Sequence, residues 1–430
     1  MQPESAHIAD RTGWLSAWRE RNYRLYAGGV LMAGFGLQML NTAVLWDVWE
    51  RSQSAMSLGY VGLARALPVV VLAIPAGQLV DRVRRHRLLS ITQVGFALVA
   101  MMLAVASLCD APLWITYAAL TLSGCVRAFN MPTRQSLLPS LVPTERFQNA
   151  ITWNSAIFQV CAIGGPILAG TVLAFAGHAW VVFAAATVGC LVFATTAWRL
   201  QPRPMESRPV GVTAGGAFAG IAHIVKERTI LGAISLDLLA VLFGGATALL
   251  PIYATTILGT DAFGLGVLKS APYAGALLMA GVMAVRPEFR RAGAALLCSV
   301  ALFGASMIVF GLSTSLWLSV IALAVGGAVD NISVVIRHVL VQTRTPDHLR
   351  GRVTAVNSVF IECSNELGGF ESGAVAAWLG PVASVVSGGI GTLVITGLIA
   401  WWLPDLRRLG RLVERPSDVM YSEAEEKSEE

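Results

Sequence analysis

The stretch IECSNELGGFESG (361–373) places Glu362, Glu366 and Glu371 between flanks, RVTAVNSVF and AVAAWLG, that read as one long apolar helix. Glu362 and Glu366 are four residues apart, so on a helix they share a face one turn apart. Two like charges held that close repel, and a proton taken up by one of them relieves the repulsion. Such a pair suits a group that takes a proton in one conformation and releases it in another. The other reading is that both acids accept hydrogen bonds from neighbours such as Asn357 or Asn365 and fix helix packing. The residues alone leave both readings open. Glu371 falls on roughly the opposite face of an ideal helix, although Gly368 and Gly369 can redirect it.

Other charges interrupt apolar runs. A charge in the middle of a membrane span costs roughly 2.5–3.5 kcal/mol or more, so each is a functional candidate. Asp237 is a second candidate for proton coupling. Asp47 closes the far end of the first apolar run, where coupling, gating and interfacial roles stand equal. Arg65 and Lys269 can attract an anionic substrate or pair with acids on neighbouring helices, and ion pairing is the simpler expectation. Arg127 and Asp330 carry opposite charges at corresponding depths, which makes them candidates for a gate. The competing reading is that Asp330 pairs within its own helix or with Arg337. No nucleophile–base set, metal-ligand spacing or phosphate-binding glycine loop appears, so enzyme chemistry, a metal site and a cofactor are not expected. The six cysteines are scattered and form no CxxC.

The elements that hold these groups follow from composition. Only 13% of the 430 residues are charged and 55% are hydrophobic, where a soluble protein has about a quarter charged. Mean hydropathy is +0.65. Twelve apolar segments stand out: 25–49, 57–80, 88–109, 112–132, 149–175, 179–198, 229–258, 263–285, 292–312, 315–339, 353–379 and 382–403. Each is long enough to cross about 30 Å of hydrocarbon as a helix, and only helices satisfy their own backbone there. Of the 31 Lys and Arg, one side holds only Arg51. Arg65, Arg127, Lys269 and Arg337 lie inside spans, and the rest fall on the other side. The positive-inside rule puts that basic side, with both termini, in the cytoplasm. The net charge of +5 is thereby topogenic, and no nucleic-acid partner is expected.

The two halves repeat at an offset of 203–204 residues. GLARALP (62–68) matches GVLKSAP (266–272), so Arg65 corresponds to Lys269 and Pro68 to Pro272; Gly124, Arg134 and Asn154 fall on Gly327, Arg337 and Asn357. Parallel halves related by an axis along the membrane normal are a transporter signature. The expected layout is a cytoplasmic segment 1–24, a six-helix half 25–198, a cytoplasmic linker 199–228 with a short surface helix near 214–226, a second half 229–403 and a cytoplasmic tail 404–430. The tail ends in an acidic, solvated run, SEAEEKSEE.

GQLVDRVRRHRLL (77–89) resembles the loop motif of the major facilitator superfamily, matching at Gly77, Leu79, Asp81, Arg82, Arg85 and Leu89; Arg84 replaces the second glycine. RNYRLYAGG, PTRQSLLPSLVPTERFQNAITWNS, SNELGGFESG and GGIGTLVITGLIAWWLPDLR look like the branch of that superfamily that includes the bacterial enterobactin exporter. GGPILAG (164–170) resembles part of the antiporter motif of span five at Gly165, Pro166 and Gly170, while Cys161 and Ala169 stand where glycines are usual. Gly and Pro there also serve close packing.

The resemblance implies an all-α membrane protein of the major facilitator fold, with twelve transmembrane helices in two pseudo-symmetric halves. It further implies that Asp81 approaches the start of span eleven and stabilises the outward-facing state. The expected function is alternating-access export of a small molecule, foremost an anionic siderophore, from a bacterial cytoplasm across the inner membrane in exchange for protons, by a monomer embedded in lipid. The rival expectations are a broad drug or secondary-metabolite exporter and a transporter-like sensor that no longer transports.

Overall fold

The computed structural model describes residues 13–203, 214–286 and 289–410. The first twelve residues, the 204–213 part of the linker and the acidic tail expected to be solvated lie outside the described residues, as do the side chains of Asp81 and His348.

Twelve long helices carry the described chain. They are α1 (Arg21–Ser52), α2 (Ala55–Arg82), α3 (Arg85–Leu108), α4 (Leu113–Leu137), α5 (Thr144–Ala176), α6 (Ala179–Trp198), α7 (Arg228–Ile257), α8 (Ala262–Val285), α9 (Ala292–Leu312), α10 (Leu316–Arg344), α11 (Asp347–Leu379) and α12 (Pro381–Trp402). A shorter helix, Ala214–Lys226, lies in the linker where a surface helix was expected. Ten of the twelve are long and apolar enough to cross a membrane; α4 and α11 are not. That corrects the expected count of twelve clear spans. The reason is chemical: Arg127, Asn130 and Arg134 interrupt α4, and Glu362, Asn365, Glu366 and Glu371 interrupt α11. The polarity that lowers their hydropathy belongs to the site described below.

Local signals set several helix ends. The Asp261 side chain accepts the backbone N–H of Gly264 at 3.2 Å and caps α8, the ordinary role of Asp at this position. Gly177, at φ +69°, ends α5 in the left-handed conformation that glycine adopts freely. One helix departs from the expected straight span. α7 is α-helical only to Gly244, then continues through a 3₁₀ turn at Ala246–Leu249 and a π turn at Tyr253–Ile257. Glycine at 245 lets the broken segment lie close against α11: a Cβ there would stand 2.9 Å from the carbonyl carbon of Gly368.

The internal repeat is legible in the packing. Gly124 of α4 sits against Arg65 and Pro68 of α2, where an added Cβ would come within 2.6 Å of the Arg65 carbonyl oxygen. Gly327 of α10 sits in the same way against Pro272 of α8. The sequence-equivalent glycines therefore make equivalent helix crossings in the two halves, and the protein is built from pseudo-symmetric six-helix halves. Outside, large apolar side chains such as Phe175, Leu278, Trp378 and Trp401 are exposed, a surface that lipid rather than water would cover.

The core is unevenly shared. Call the face on which α1 begins and α12 ends the terminus side. Away from it, one continuous cluster of buried side chains runs through both halves, from Val48 and Leu58 to Leu249, Leu265 and Ala376. Toward the terminus side it separates. One cluster, around Tyr23, Phe96 and Phe193, lies wholly in the first half. Another, around Leu236, Leu296 and Ile336, lies wholly in the second. The halves are thus welded at one end and independent at the other.

Candidate functional site

Glycines make the weld. A Cβ at Gly59 of α2 would stand 3.1 Å from the carbonyl oxygen of Phe370 of α11, and Gly62 abuts the Glu366 carbonyl. Gly170 of α5 meets Ala262 of α8, and Gly266 of α8 meets the Pro166 carbonyl. Gly165 packs on Gln38 of α1, 2.5 Å from where its Cβ would be. Gly165, Pro166 and Gly170 all stand at helix crossings, the packing role that their composition allowed. Trp49 Nε1 donates to Thr255 Oγ1 at 2.9 Å and links the same end of α1 to the π turn of α7.

Below the weld, at mid-depth, lies a cavity of about 430 Å³ lined from both halves, by Gln38, Asn41, Arg65 and Arg127 on one side and by Lys269, Tyr273, Glu362 and Glu366 on the other. A second cavity of about 250 Å³ shares Gln38, Asn41, Arg65, Arg127 and Glu362 and extends toward the terminus side past Met131 and Arg134. Among the described residues, no ion pair or side-chain hydrogen bond joins the two halves nearer the terminus side than Arg127.

Arg127 is the hub. Its Nη2 lies 2.5 Å from Glu362 Oε2 and its Nη1 donates to Glu366 Oε1 at 3.4 Å, so one guanidinium of α4 spans both acids of α11. The planar fork of arginine is suited to this, with donors directed at two acceptors. The three side chains are between one-fifth and two-fifths exposed to the cavity. The repulsion expected between the two glutamates is therefore offset by a cation. Asn365 does not satisfy them: it donates to the Ile361 carbonyl of its own helix.

The expected gate pair belongs to a state closed on the terminus side, and in the state seen here it is not formed. Arg127 pairs across the halves, but with Glu362 and Glu366 and not with Asp330, which makes no ion pair among the described residues. Two acids in one turn of α11 give a stronger field than one on α10, and the guanidinium goes there. Arg337, the other partner expected for Asp330, pairs here with Asp237.

The other two candidates for proton coupling, Asp237 and Asp47, are each occupied. Asp237 of α7 and Arg337 of α10 form an almost fully buried ion pair inside the second half. Breaking such a pair leaves a charge stranded and costs about 3–5 kcal/mol. Asp237→Ala is expected to lower the yield of folded protein sharply, and Asp237→Leu with Arg337→Met to recover it, both read by size-exclusion chromatography in detergent. A double variant that aggregates as badly as the single would show that the site needs charge rather than balance. Asp47 accepts Ser107 Oγ at 2.8 Å and faces Arg51 at 3.2 Å, which ties α1 to α3 away from the cavity.

The two cations of the repeat depart from the simpler expectation. Arg65 makes no ion pair among the described residues, and its Nε is buried without a hydrogen-bond partner. Lys269 Nζ donates to the Asn41 carbonyl at 2.8 Å, reaching from α8 to α1 across the halves, and has no carboxylate partner among the described residues. In the loop motif, Arg85 Nη1 donates to the Ser136 carbonyl at 3.2 Å and so ties the start of α3 to the end of α4. Arg82 is exposed. Gly77 lines a small cavity beside Arg127, Met131 and Glu362.

Sequence reasoning passed over Gln38, Asn41, Tyr273 and the turn at Thr247–Ala248, all of which line the larger cavity. A signal existed for the first two: polar residues three apart in the otherwise apolar LQMLNTAVLW share a helix face. Tyr273 follows the repeat residue Pro272 and carried no signal of its own.

A profile for the family described as "transmembrane secretion effector" matches residues 12–425, nearly the whole chain. The chain belongs to this family of major facilitator transporters. It is 27% identical over 395 residues to the multidrug efflux pump Tap of Mycolicibacterium fortuitum, covering 88% of this chain and 95% of that one. It is 24% identical over 375 residues to the enterobactin exporter EntS of Citrobacter koseri, covering 86% and 89%. Among solved structures it resembles a bacterial homologue of the human lysosomal transporter Spinster, in an inward-facing and occupied conformation. The TM-score is 0.66 at 14% identity, over 90% of this chain and 98% of that one, a likeness of fold. The expected assignment to the enterobactin exporter branch is thereby broadened, because both kinds of exporter are matched along most of their length. The protein is a secondary transporter of the major facilitator fold.

Proposed function

We propose that this transporter exports small organic molecules of the drug or secondary-metabolite class from a bacterial cytoplasm, by alternating access coupled to proton entry. The observation that carries the reading is the divided core: one cluster spans both halves at one end, and separate clusters occupy the other. Two halves joined at one end by glycine crossings, with a polar cavity opening toward the other, can rock against each other and expose the mid-depth site to either side in turn. The basic loops put the open side in the cytoplasm, with α4 and α11 completing twelve spans between cytoplasmic termini. On this reading the division falls in the linker 199–228.

Coupling is assigned to Arg127, Glu362 and Glu366. With the cavity open to the cytoplasm, Arg127 is paired with both acids. Rocking the halves apart at the far side separates α4 from α11, and acids parted from their cation take protons from the outside. Return to the cytoplasmic state restores the contact and expels them. Asp81 is given a conformational role, so Asp81→Asn is expected to slow transport while sparing affinity for substrate in the purified protein. An equal loss of binding contradicts that role.

Siderophore export stands as the second reading, supported by the likeness to the enterobactin exporter along most of the chain. The test of export is uptake into inside-out membrane vesicles, whose lumen corresponds to the outside. An acidified lumen is expected to drive accumulation of dye-like efflux substrates, and collapsing the gradient with a protonophore to abolish it. Accumulation that ignores the gradient would sink proton coupling. Absence of any flux in vesicles rich in folded protein would favour the sensor.

A further inference from the structure

The charges that line the cavities do not balance. Arg65, Arg127 and Lys269 face the larger cavity and Arg134 faces its extension, against two acids, Glu362 and Glu366. Both acids are engaged by Arg127. Arg65 and Lys269 feel Glu366 at longer range, but neither is in ion-pair contact with it. Arg134 has no ion pair among the described residues. Placing a cation at this depth is costly unless something pairs with it, and the protein does so at equivalent places of both halves.

We infer that Arg65 and Lys269 together form the binding point for the acidic group of an organic anion, so that the exported substrates carry a carboxylate or a comparably acidic group. The placement supports this beyond charge alone. The two residues are equivalents in the repeat, and each half contributes one. Both line the single cavity of about 430 Å³. Arg65 supplies a guanidinium whose Nε has no partner, and Lys269 supplies an ammonium held in place by the Asn41 carbonyl. A fork plus a point charge matches an anionic head with two or three acceptor oxygens. Leu45, Leu58, Val61 and Phe158 of the same cavity give the organic body of the ligand an apolar wall. Arg134, farther along the extension, would draw anions in from the open side.

The inference rests on the export reading for its meaning, but its test does not depend on transport. The probes are two xanthene dyes of similar body and opposite charge, carboxyfluorescein and rhodamine 6G. Binding to the full-length protein in neutral detergent is followed by fluorescence anisotropy. Carboxyfluorescein is expected to bind saturably and more tightly than rhodamine 6G. Arg65→Gln and Lys269→Gln should each weaken it by at least about tenfold, the effect of losing about 1.4 kcal/mol. Arg65→Lys and Lys269→Arg should recover part of the loss. If a glutamine variant fails to fold, the charge-keeping variants still decide the matter through altered preference among anions. Equal affinity for both dyes, or glutamine variants that bind carboxyfluorescein as the parent does, overturns the inference. A parallel arm adds phosphatidylglycerol: displacement of the dye by lipid at low mole fraction would assign the cations to a headgroup and likewise overturn a substrate role. Gradient-driven vesicle flux of rhodamine 6G without anion binding would leave export standing and remove the anion site. Anion binding without flux would do the reverse.

Discussion

Replacing both acids of the cluster, Glu362→Gln with Glu366→Gln, is expected to cut pH-gradient-driven efflux by about 5–150-fold, the range typical of a lost coupling free energy. Downhill substrate movement should persist. The cause is direct. Arg127 reaches both carboxylates from the other half, so on the proposed coupling the same contact registers the state of the halves and the charge of the acids. The double variant strands the guanidinium, which is only partly shielded by its exposure to the cavity. If it expresses poorly, adding Arg127→Gln removes the stranded charge and should recover folding without recovering coupling. Gradient-dependent efflux at parental rate in either variant would make the cluster a packing device and move proton coupling elsewhere.

The second large effect is expected at Gly327. A Cβ there would collide with the backbone of Pro272, which cannot swing aside as a side chain can. Overpacked cores cost about 1–3 kcal/mol, and Gly327→Ala should lie at or above the top of that range, read as a lowered midpoint of thermal unfolding in detergent. Gly124→Ala, the repeat equivalent, should shift the midpoint in the same direction. It should also disturb anion binding, because its obstacle is the carbonyl of Arg65 itself. Gly281→Ala in α8 meets nothing within 4 Å and gains the roughly 0.5–1 kcal/mol by which alanine exceeds glycine in a helix. A Gly327→Ala protein that unfolds with the parent would disprove the tight crossing.

The helices, their order and the repeat could be read from the sequence because each rests on a local or periodic property. Apolar length gives a span, basic loops give its direction, and an offset that aligns Gly124 with Gly327 and Pro68 with Pro272 survives because both pairs mark the same backbone approach. Partners could not be read this way. Arg127 and Asp330 correspond in the repeat, but correspondence gives equal depth and not contact, and in this state the guanidinium meets the acids of α11, which the repeat does not point to. Asp237 looked like Glu362 and Glu366, an acid in an apolar run. What distinguishes it is Arg337, exactly one hundred residues away and buried with it. The break in α7 was hidden because GGATALLPIYATTI carries no charged residue and reads as part of one span, and hydropathy does not separate an α turn from a π turn.

The central claim is that substrate leaves as protons enter through one device. The most direct measurement of it uses proteoliposomes with a pH-sensitive dye in the lumen and no imposed gradient. Adding an exported substrate on the side from which it is pumped should move protons the opposite way at once, with a rate that saturates as substrate binding saturates. The Glu362→Gln/Glu366→Gln protein should bind and move substrate with no change in lumenal pH. Substrate flux through the parent protein without proton movement, or proton movement that survives the loss of both acids, would contradict the account.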